Sequence, residues 1–175
     1  MVSAPFQTSV LFIEDDSKDF LFWSHALQQC PRNYVFLHAY TGGLGVEIFK
    51  ASKFNCVVLD LDLPDSSYDV MQTLIPNQSQ TQVPIVVLTG LKHANLHEIA
   101  LYMGVKECLL KQDTSGQVLD LAIQNAVASI AVHQEKDPLL TLPSVRFENA
   151  QKDQAKRLQF EKALSDERTS RPPLT

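Results

Sequence analysis

The sequence has few cysteines and no long apolar run, and each shortage excludes a class of protein. Its three cysteines, Cys30, Cys56 and Cys108, are widely spaced and odd in number, which argues against a disulfide framework or a zinc site. No apolar run approaches the roughly 20 residues of a membrane span, and the N-terminus lacks the basic segment of a secretory signal. We therefore expect a cytoplasmic protein with reduced thiols and no membrane contact.

Positive charge is also scarce. The 175 residues hold 15 Lys and Arg against 20 Asp and Glu, so no overall positive field exists to bind nucleic acid directly. The excess of acid lies in residues 1–144, whereas residues 145–175 hold seven basic and five acidic side chains. A chain of this length is long enough for one domain with a single hydrophobic core and a further segment outside that core. We divide it into a domain over 1–133, a linker over 134–144 and a charged helical tail with a frayed end over 145–175.

Short apolar runs alternate with helical patterns along the first part of the chain. The runs cover residues 8–13, 34–37, 56–59, 85–88 and 108–110, and the amphipathic stretches cover 17–30, 42–52, 67–76, 93–103 and 114–133. Such alternation predicts a parallel sheet with helices on both faces. Right-handed crossovers favour a flavodoxin-like, doubly wound (βα)5 α/β fold with strand order 2-1-3-4-5. In the tail, sparse apolar residues predict a C-terminal helix over 145–168 that is packed or partner-docked and has no core of its own.

Polar residues stand where four of these strands end. Glu14 and Asp15 follow the first strand and Asp60 follows the third, so the fold brings three carboxylates to one edge of the sheet. Their mutual repulsion predicts a hard cation among them, and Mg2+ prefers such oxygen ligands. With a cation in place, Asp60 can act as a nucleophile on phosphorus. Thr89 and Lys111, at the ends of the fourth and fifth strands, add a hydroxyl and a fixed positive charge.

This set of residues resembles the CheY-like receiver domain of two-component response regulators, over about residues 8–133. The motifs are Val-Leu-Phe-Ile-Glu-Asp-Asp, Val-Val-Leu-Asp-Leu-Asp-Leu-Pro-Asp, Ile-Val-Val-Leu-Thr-Gly and Cys-Leu-Leu-Lys. The intervals of 45, 29 and 22 residues that separate Asp15, Asp60, Thr89 and Lys111 also suit that family. The resemblance is specific because all four motifs occur in the right order.

The resemblance implies a role for each site residue. Asp60 is the expected phospho-acceptor, and Thr89 and Lys111 are expected to contact the phosphoryl group. Asp15 is the expected direct Mg2+ ligand. Glu14 would bind the ion mostly through water, and Asp62 would bind it through its backbone carbonyl. A histidine kinase or phosphotransfer protein would supply that group. Output would pass to a downstream protein partner or through self-association, with phosphorylation and dephosphorylation of the chain itself as its only chemistry.

Three positions depart from the family pattern. Cys108 stands where an aromatic residue usually takes part in the activation switch, and Gln112 stands where proline commonly follows the lysine. Tyr68 replaces a common glycine eight residues after the acceptor, so we expect the loop over 64–69 to have a different shape. None of these changes removes a catalytic group.

Two alternative functions remain open at this stage. The first is a receiver-like scaffold that works without phosphorylation, which the departures at Cys108 and Tyr68 favour. The second is a phosphatase of the haloacid-dehalogenase type, because Asp60-Leu61-Asp62 is similar to the nucleophile motif of that family. Pro64 departs from that motif, and the upstream Glu14-Asp15 pair has no role in such an enzyme.

Overall fold

The protein folds as five parallel strands alternating with helices, in a computed structural model that describes residues 7–75, 83–133 and 145–170. The strands are β1 (Gln7–Ile13), β2 (Asn33–Ala39), β3 (Cys56–Leu59), β4 (Ile85–Thr89) and β5 (Glu107–Leu110). The helices are α1 (Ser17–Gln28), α2 (Gly42–Ala51), α3 (Ser67–Leu74), α4 (Ala94–Met103), α5 (Gly116–His133) and α6 (Val145–Ser170). The strand order is β2-β1-β3-β4-β5, which confirms the predicted topology and the C-terminal helix. The predicted linker over 134–144 lies outside the described residues, as does the predicted frayed end over 170–175 except for Ser170, which ends α6.

The two faces of the sheet bury two separate apolar layers. Alternate side chains of a strand point to opposite faces, so Leu11 and Ile13 join the layer beneath α2, α3 and α4, while Val10 and Phe12 join the layer beneath α1 and α5. The central strands are buried on both sides, which explains why they read as continuous apolar runs. Among the described helices, none has the length and apolar character that a membrane span requires.

Helix α2 lies close to β1 because its first turns are built from glycine. A Cβ atom on Gly45 would lie 2.5 Å from Ile13 Cδ1, so a larger residue would force either the Ile13 side chain or the helix to move. The start of α2 is held from the loop after β3, where the Asp65 carboxylate accepts hydrogen bonds from the N–H groups of Gly42 (2.8 Å) and Gly43 (2.7 Å). A carboxylate is stabilised at a helix N-terminus by those free N–H groups and by the helix dipole.

Helix α6 folds back and packs against α3 and α4. Its Phe160 and Ala163 are buried in the same apolar layer as those helices. The Phe160 ring lies 5.6 Å from the Tyr68 ring, centroid to centroid. Arg157 also forms an ion pair with Asp69 of α3 (3.0 Å). The described chain thus buries one face of the tail helix against the domain rather than leaving it extended.

Candidate functional site

The carboxyl ends of β1 and β3 bring the predicted acidic residues together. Ile13 and Leu59 are paired in register on these neighbouring strands, so the next residues, Glu14 and Asp60, lie side by side. Both residues are 4% exposed. One carboxylate oxygen from each of Glu14, Asp15 and Asp60 lies within 4.8 Å of the others. The predicted cluster is therefore present as a geometric group.

Lys111 contacts two of these three acids and a further one, Asp19. Its Nζ is 2.7 Å from Glu14 Oε2, 2.7 Å from Asp60 Oδ2 and 2.6 Å from Asp19 Oδ2. Burial alone would lower the pKa of the ammonium group, but the carboxylates of Asp60, Asp19 and Glu14 raise it above its usual value. The lysine therefore stays charged and offsets part of the negative charge of the site.

Burial has the opposite effect on the acids. It is the main reason that the pKa of Glu14 rises to about 7, and the neighbouring Asp60 carboxylate adds to the rise. Desolvation also raises the pKa of Asp15, although less of that side chain is buried. Two carboxylates that share a buried edge of a sheet are costly to ionise together, and a bound cation relieves that cost.

The two other predicted residues lie at the same edge with their polar atoms engaged elsewhere. Thr89 is fully buried at the end of β4, and its hydroxyl accepts a hydrogen bond from the N–H of Leu91 at 3.3 Å. The N–H of Asp62 donates to Asp60 Oδ1 at 3.0 Å, whereas its carboxylate faces the guanidinium of Arg168, with Oδ1 2.9 Å from Nε. The Asp62 side chain is therefore paired with α6.

Two residues of the site were missed in the sequence. Asp19 reaches Lys111 from the first turn of α1, and the only sequence signal was its place shortly after the Glu14-Asp15 pair. Arg168 reaches the loop after β3 from the far end of the chain. No sequence pattern indicated that second contact, because it depends on how α6 packs.

The departures at Tyr68 and Cys108 have different structural outcomes. Tyr68 lies in the first turn of α3, 2% exposed, against the Phe160 ring of α6, so its size serves packing between the two helices. Cys108 is half-buried on β5, and burial raises the pKa of its thiol to about 12. A neutral thiol of that size fills much less space than an aromatic ring.

The donor set fits a hard divalent cation. Three carboxylates with oxygens this close, one of them exposed to solvent, give the oxygen-rich and partly open environment that Mg2+ prefers. The described residues that carry this cluster include no cysteine or histidine, which softer metals favour. The residues present therefore match the predicted ion in chemistry.

Comparison with known proteins assigns the chain to a family. The model of the response regulator receiver domain matches residues 10–123, about two thirds of the chain. The chain therefore belongs to the response regulator receiver domain family of two-component signalling. Receiver domains in general interact with histidine kinases and downstream effectors and are not enzymes in the conventional sense. No curated protein is significantly similar to the chain in sequence.

Solved structures show the same fold. A response regulator receiver domain protein from Clostridium thermocellum is 22% identical, with a TM-score of 0.58, and the match covers 71% of this chain and 98% of that one. For the chemotaxis response regulator CheY4 of Vibrio cholerae, the identity is 17%, the TM-score 0.59 and the coverage 69% and 99%. The receiver domain of the sensor histidine kinase PA1611 from Pseudomonas aeruginosa, with a magnesium ion coordinated in its active site cleft, is 18% identical, with a TM-score of 0.60 and coverage of 70% and 99%.

Proposed function

We propose that this protein accepts a phosphoryl group on Asp60 from a histidine kinase or phosphotransfer protein and passes the signal on by a change of conformation. The observation that carries the proposal is the contact of Asp60 Oδ2 with Lys111 Nζ at 2.7 Å, inside the acidic cluster. The same edge of the sheet holds a nucleophilic carboxylate, a fixed cation and oxygen ligands for a metal. Family membership supports each role.

The transfer step is a displacement at phosphorus. An Asp60 carboxylate oxygen forms the new O–P bond, and the P–N bond to the donor imidazole breaks. The imidazole keeps the electron pair of that bond and takes a proton from solvent if it leaves as the anion. Lys111 places its charge beside the incoming phosphoryl oxygens. The Thr89 hydroxyl accepts from the Leu91 N–H and still has its own proton to donate, and we assign its rotation toward the phosphoryl group to the activated state.

Mg2+ is the proposed cofactor. The carboxylates of Asp15 and Asp60 and the backbone carbonyl of Asp62 would hold it, with Glu14 acting through water. When bound, the ion supplies charge neutralisation for the phosphoryl oxygens. A receiver domain of similar fold holds magnesium in its active site cleft, which supports this assignment.

The proposed output is protein association. Phosphorylation adds a charge of about −1.5 to −2 at Asp60, next to loops that join β3 to α3 and β4 to α4. The acidic balance of the sequence gives no overall positive field for direct contact with nucleic acid. A downstream protein, or a second copy of this chain, is therefore the proposed recipient of the signal.

Intact mass measures the proposed reaction directly. The protein is incubated with Mg2+ and acetyl phosphate, a small phosphodonor, and compared with the Asp60→Asn variant. We expect one phosphoryl group on the wild type, none on Asp60→Asn, and none on either when EDTA removes the metal. Asp113→Asn is the matched control, because it makes the same chemical change at an exposed position outside the cluster.

Two results would refute the proposal. One is a wild-type protein that gains no mass with acetyl phosphate or with any phosphorylated kinase tested. The other is equal labelling of the wild type and Asp60→Asn, which would place the acceptor elsewhere. A partner that binds the Asp60→Ala variant as well as the wild type under phosphorylating conditions would instead favour a phosphorylation-independent scaffold.

A further inference from the structure

Helix α6 contacts the loop that follows β3 through one arginine. Arg168 donates from Nε to Asp62 Oδ1 at 2.9 Å and from Nη2 to the carbonyl oxygen of Leu63 at 2.8 Å. These two acceptors lie on either side of the peptide group that joins Asp62 to Leu63. A single guanidinium therefore binds the atoms that flank this peptide group.

That peptide group matters because its carbonyl oxygen belongs to Asp62. The segment before it is held from within the domain: the Ser67 hydroxyl donates to the carbonyl of Leu61, and the N–H of Asp62 donates to Asp60 Oδ1. On the far side, the carbonyl oxygen of Leu63 accepts a hydrogen bond from Arg168. Arg168, more than one hundred positions away in the sequence, therefore contacts the residues on both sides of the Asp62 carbonyl.

We propose that Arg168 is a positioning residue for the acceptor site, which it orients through the Asp62–Leu63 peptide group. The inference rests on the proposed function, in which the Asp62 carbonyl is a Mg2+ ligand. Docking of α6, through the buried Phe160, brings the guanidinium to the loop. The two events are then thermodynamically linked. A ligand that binds at the acceptor site changes the docking equilibrium of α6, and a partner that docks or releases α6 changes the affinity of the site.

Arg168 could affect the site by holding the loop or by its charge alone. These two explanations predict opposite changes in Mg2+ affinity when Arg168 is removed, so the direction of the change distinguishes them. Arg168 offsets the charge of Asp62, and Asp62 lies close enough to Asp15 to raise the pKa of that carboxyl. If Arg168 acted by charge alone, its removal would leave Asp62 uncompensated and tighten cation binding. If it acts by holding the loop, its removal weakens cation binding. The two-pronged contact requires the planar guanidinium, because the single ammonium of lysine does not reproduce its fixed fork.

The experiment measures Mg2+ affinity of the full-length protein by isothermal titration calorimetry. We expect Arg168→Gln and Arg168→Lys to weaken binding by about three- to tenfold, at or below the usual range for residues that orient metal ligands, since this contact is partly exposed. Arg157→Gln is the matched control, because Arg157 ties the same helix to Asp69 without touching the site. Its expected change is less than about twofold.

A double variant and an exchange measurement complete the test. Arg168→Gln combined with Asp62→Asn removes both charges of the pair and still lacks the guanidinium, so we expect its Mg2+ affinity to stay below that of the wild type. Amide hydrogen exchange over residues 60–64, measured without metal, should be faster in the Arg168 variants than in the wild type or Arg157→Gln. Thermal unfolding confirms that each variant is folded.

Unchanged or tighter Mg2+ binding in Arg168→Gln would overturn the inference, as would wild-type affinity in Arg168→Lys. If the wild type itself neither binds Mg2+ nor accepts a phosphoryl group, the proposed function fails separately. The amide hydrogen exchange rates then still test whether Arg168 holds the loop. Equal exchange rates over residues 60–64 in the wild type and Arg168→Gln would overturn that role.

Discussion

Replacing Glu14 by glutamine should remove a pH dependence from the stability of this protein. The pKa of Glu14 rises from 4.5 to about 7 in the folded state, mainly because its carboxylate is buried. Between these two values the folded chain binds more protons than the unfolded chain. The free energy of unfolding must therefore fall as the pH rises through this window and level off above it.

The size of the effect follows from the shift. One unit of pKa difference corresponds to about 1.4 kcal/mol, so ionising Glu14 costs the folded state at most about 3 kcal/mol. Glutamine resembles the protonated acid and does not titrate. From about pH 5 to about pH 8, Glu14→Gln should therefore gain about 2–3 kcal/mol of stability relative to the wild type.

Urea denaturation in EDTA at several pH values is the assay. The single tryptophan, Trp23, is buried in the layer beneath α1 and α5 and reports the transition by its fluorescence. The exposed Glu98→Gln variant measures the same chemical change away from the site. Added Mg2+ should restore the stability that the wild type loses at high pH, because a bound cation favours the ionised carboxylate. If the difference in free energy of unfolding between the wild type and Glu14→Gln stays constant within about 0.5 kcal/mol from pH 5 to pH 8, this reasoning is refuted.

Three further substitutions test the packing around the site by chemical denaturation and hydrogen exchange. Phe160→Ala should cost about 3 kcal/mol and speed exchange in α6, whereas Leu158→Ala, at an exposed position of the same helix, should change stability by less than about 0.5 kcal/mol. Gly45→Ala should cost about 1–3 kcal/mol by pressing α2 against β1, while Gly43→Ala, where a Cβ meets nothing closer than 3.7 Å, should be neutral or slightly stabilising. Asp65→Ala should cost about 1–2 kcal/mol, since two N–H groups at the start of α2 lose their acceptor. Equal effects within either matched pair, or no loss for Asp65→Ala, would contradict the contacts described above.

The sheet and most of the acidic cluster were predictable because both depend on local sequence. Buried strands are continuous apolar runs, and the residues after them converge wherever neighbouring parallel strands end together. Glu14 and Asp60 are brought together in this way, and Lys111, which follows β5 at the same edge of the sheet, reaches both with the end of its long side chain.

The remaining site contacts depend on packing between distant elements. Nothing near Arg168 in the sequence indicates that its guanidinium meets the loop after β3. The direction in which the Thr89 hydroxyl points is likewise set by the loop that follows it, through the N–H of Leu91. The pattern of residue types along the sequence predicts which residues lie at the carboxyl edge of the sheet. The hydrogen-bond partner of each side chain depends on tertiary contacts that the pattern does not show.

The contact between Tyr68 and Phe160 has a consequence for how relatives of this chain vary. A small residue at position 68 would leave a cavity beneath Phe160, and the loss of Phe160 would expose the Tyr68 ring to water. Each aromatic side chain covers part of the other and packs better when the other is present. The two positions should therefore covary, with a large side chain at the start of α3 accompanied by a C-terminal helix that carries an apolar residue to cover it.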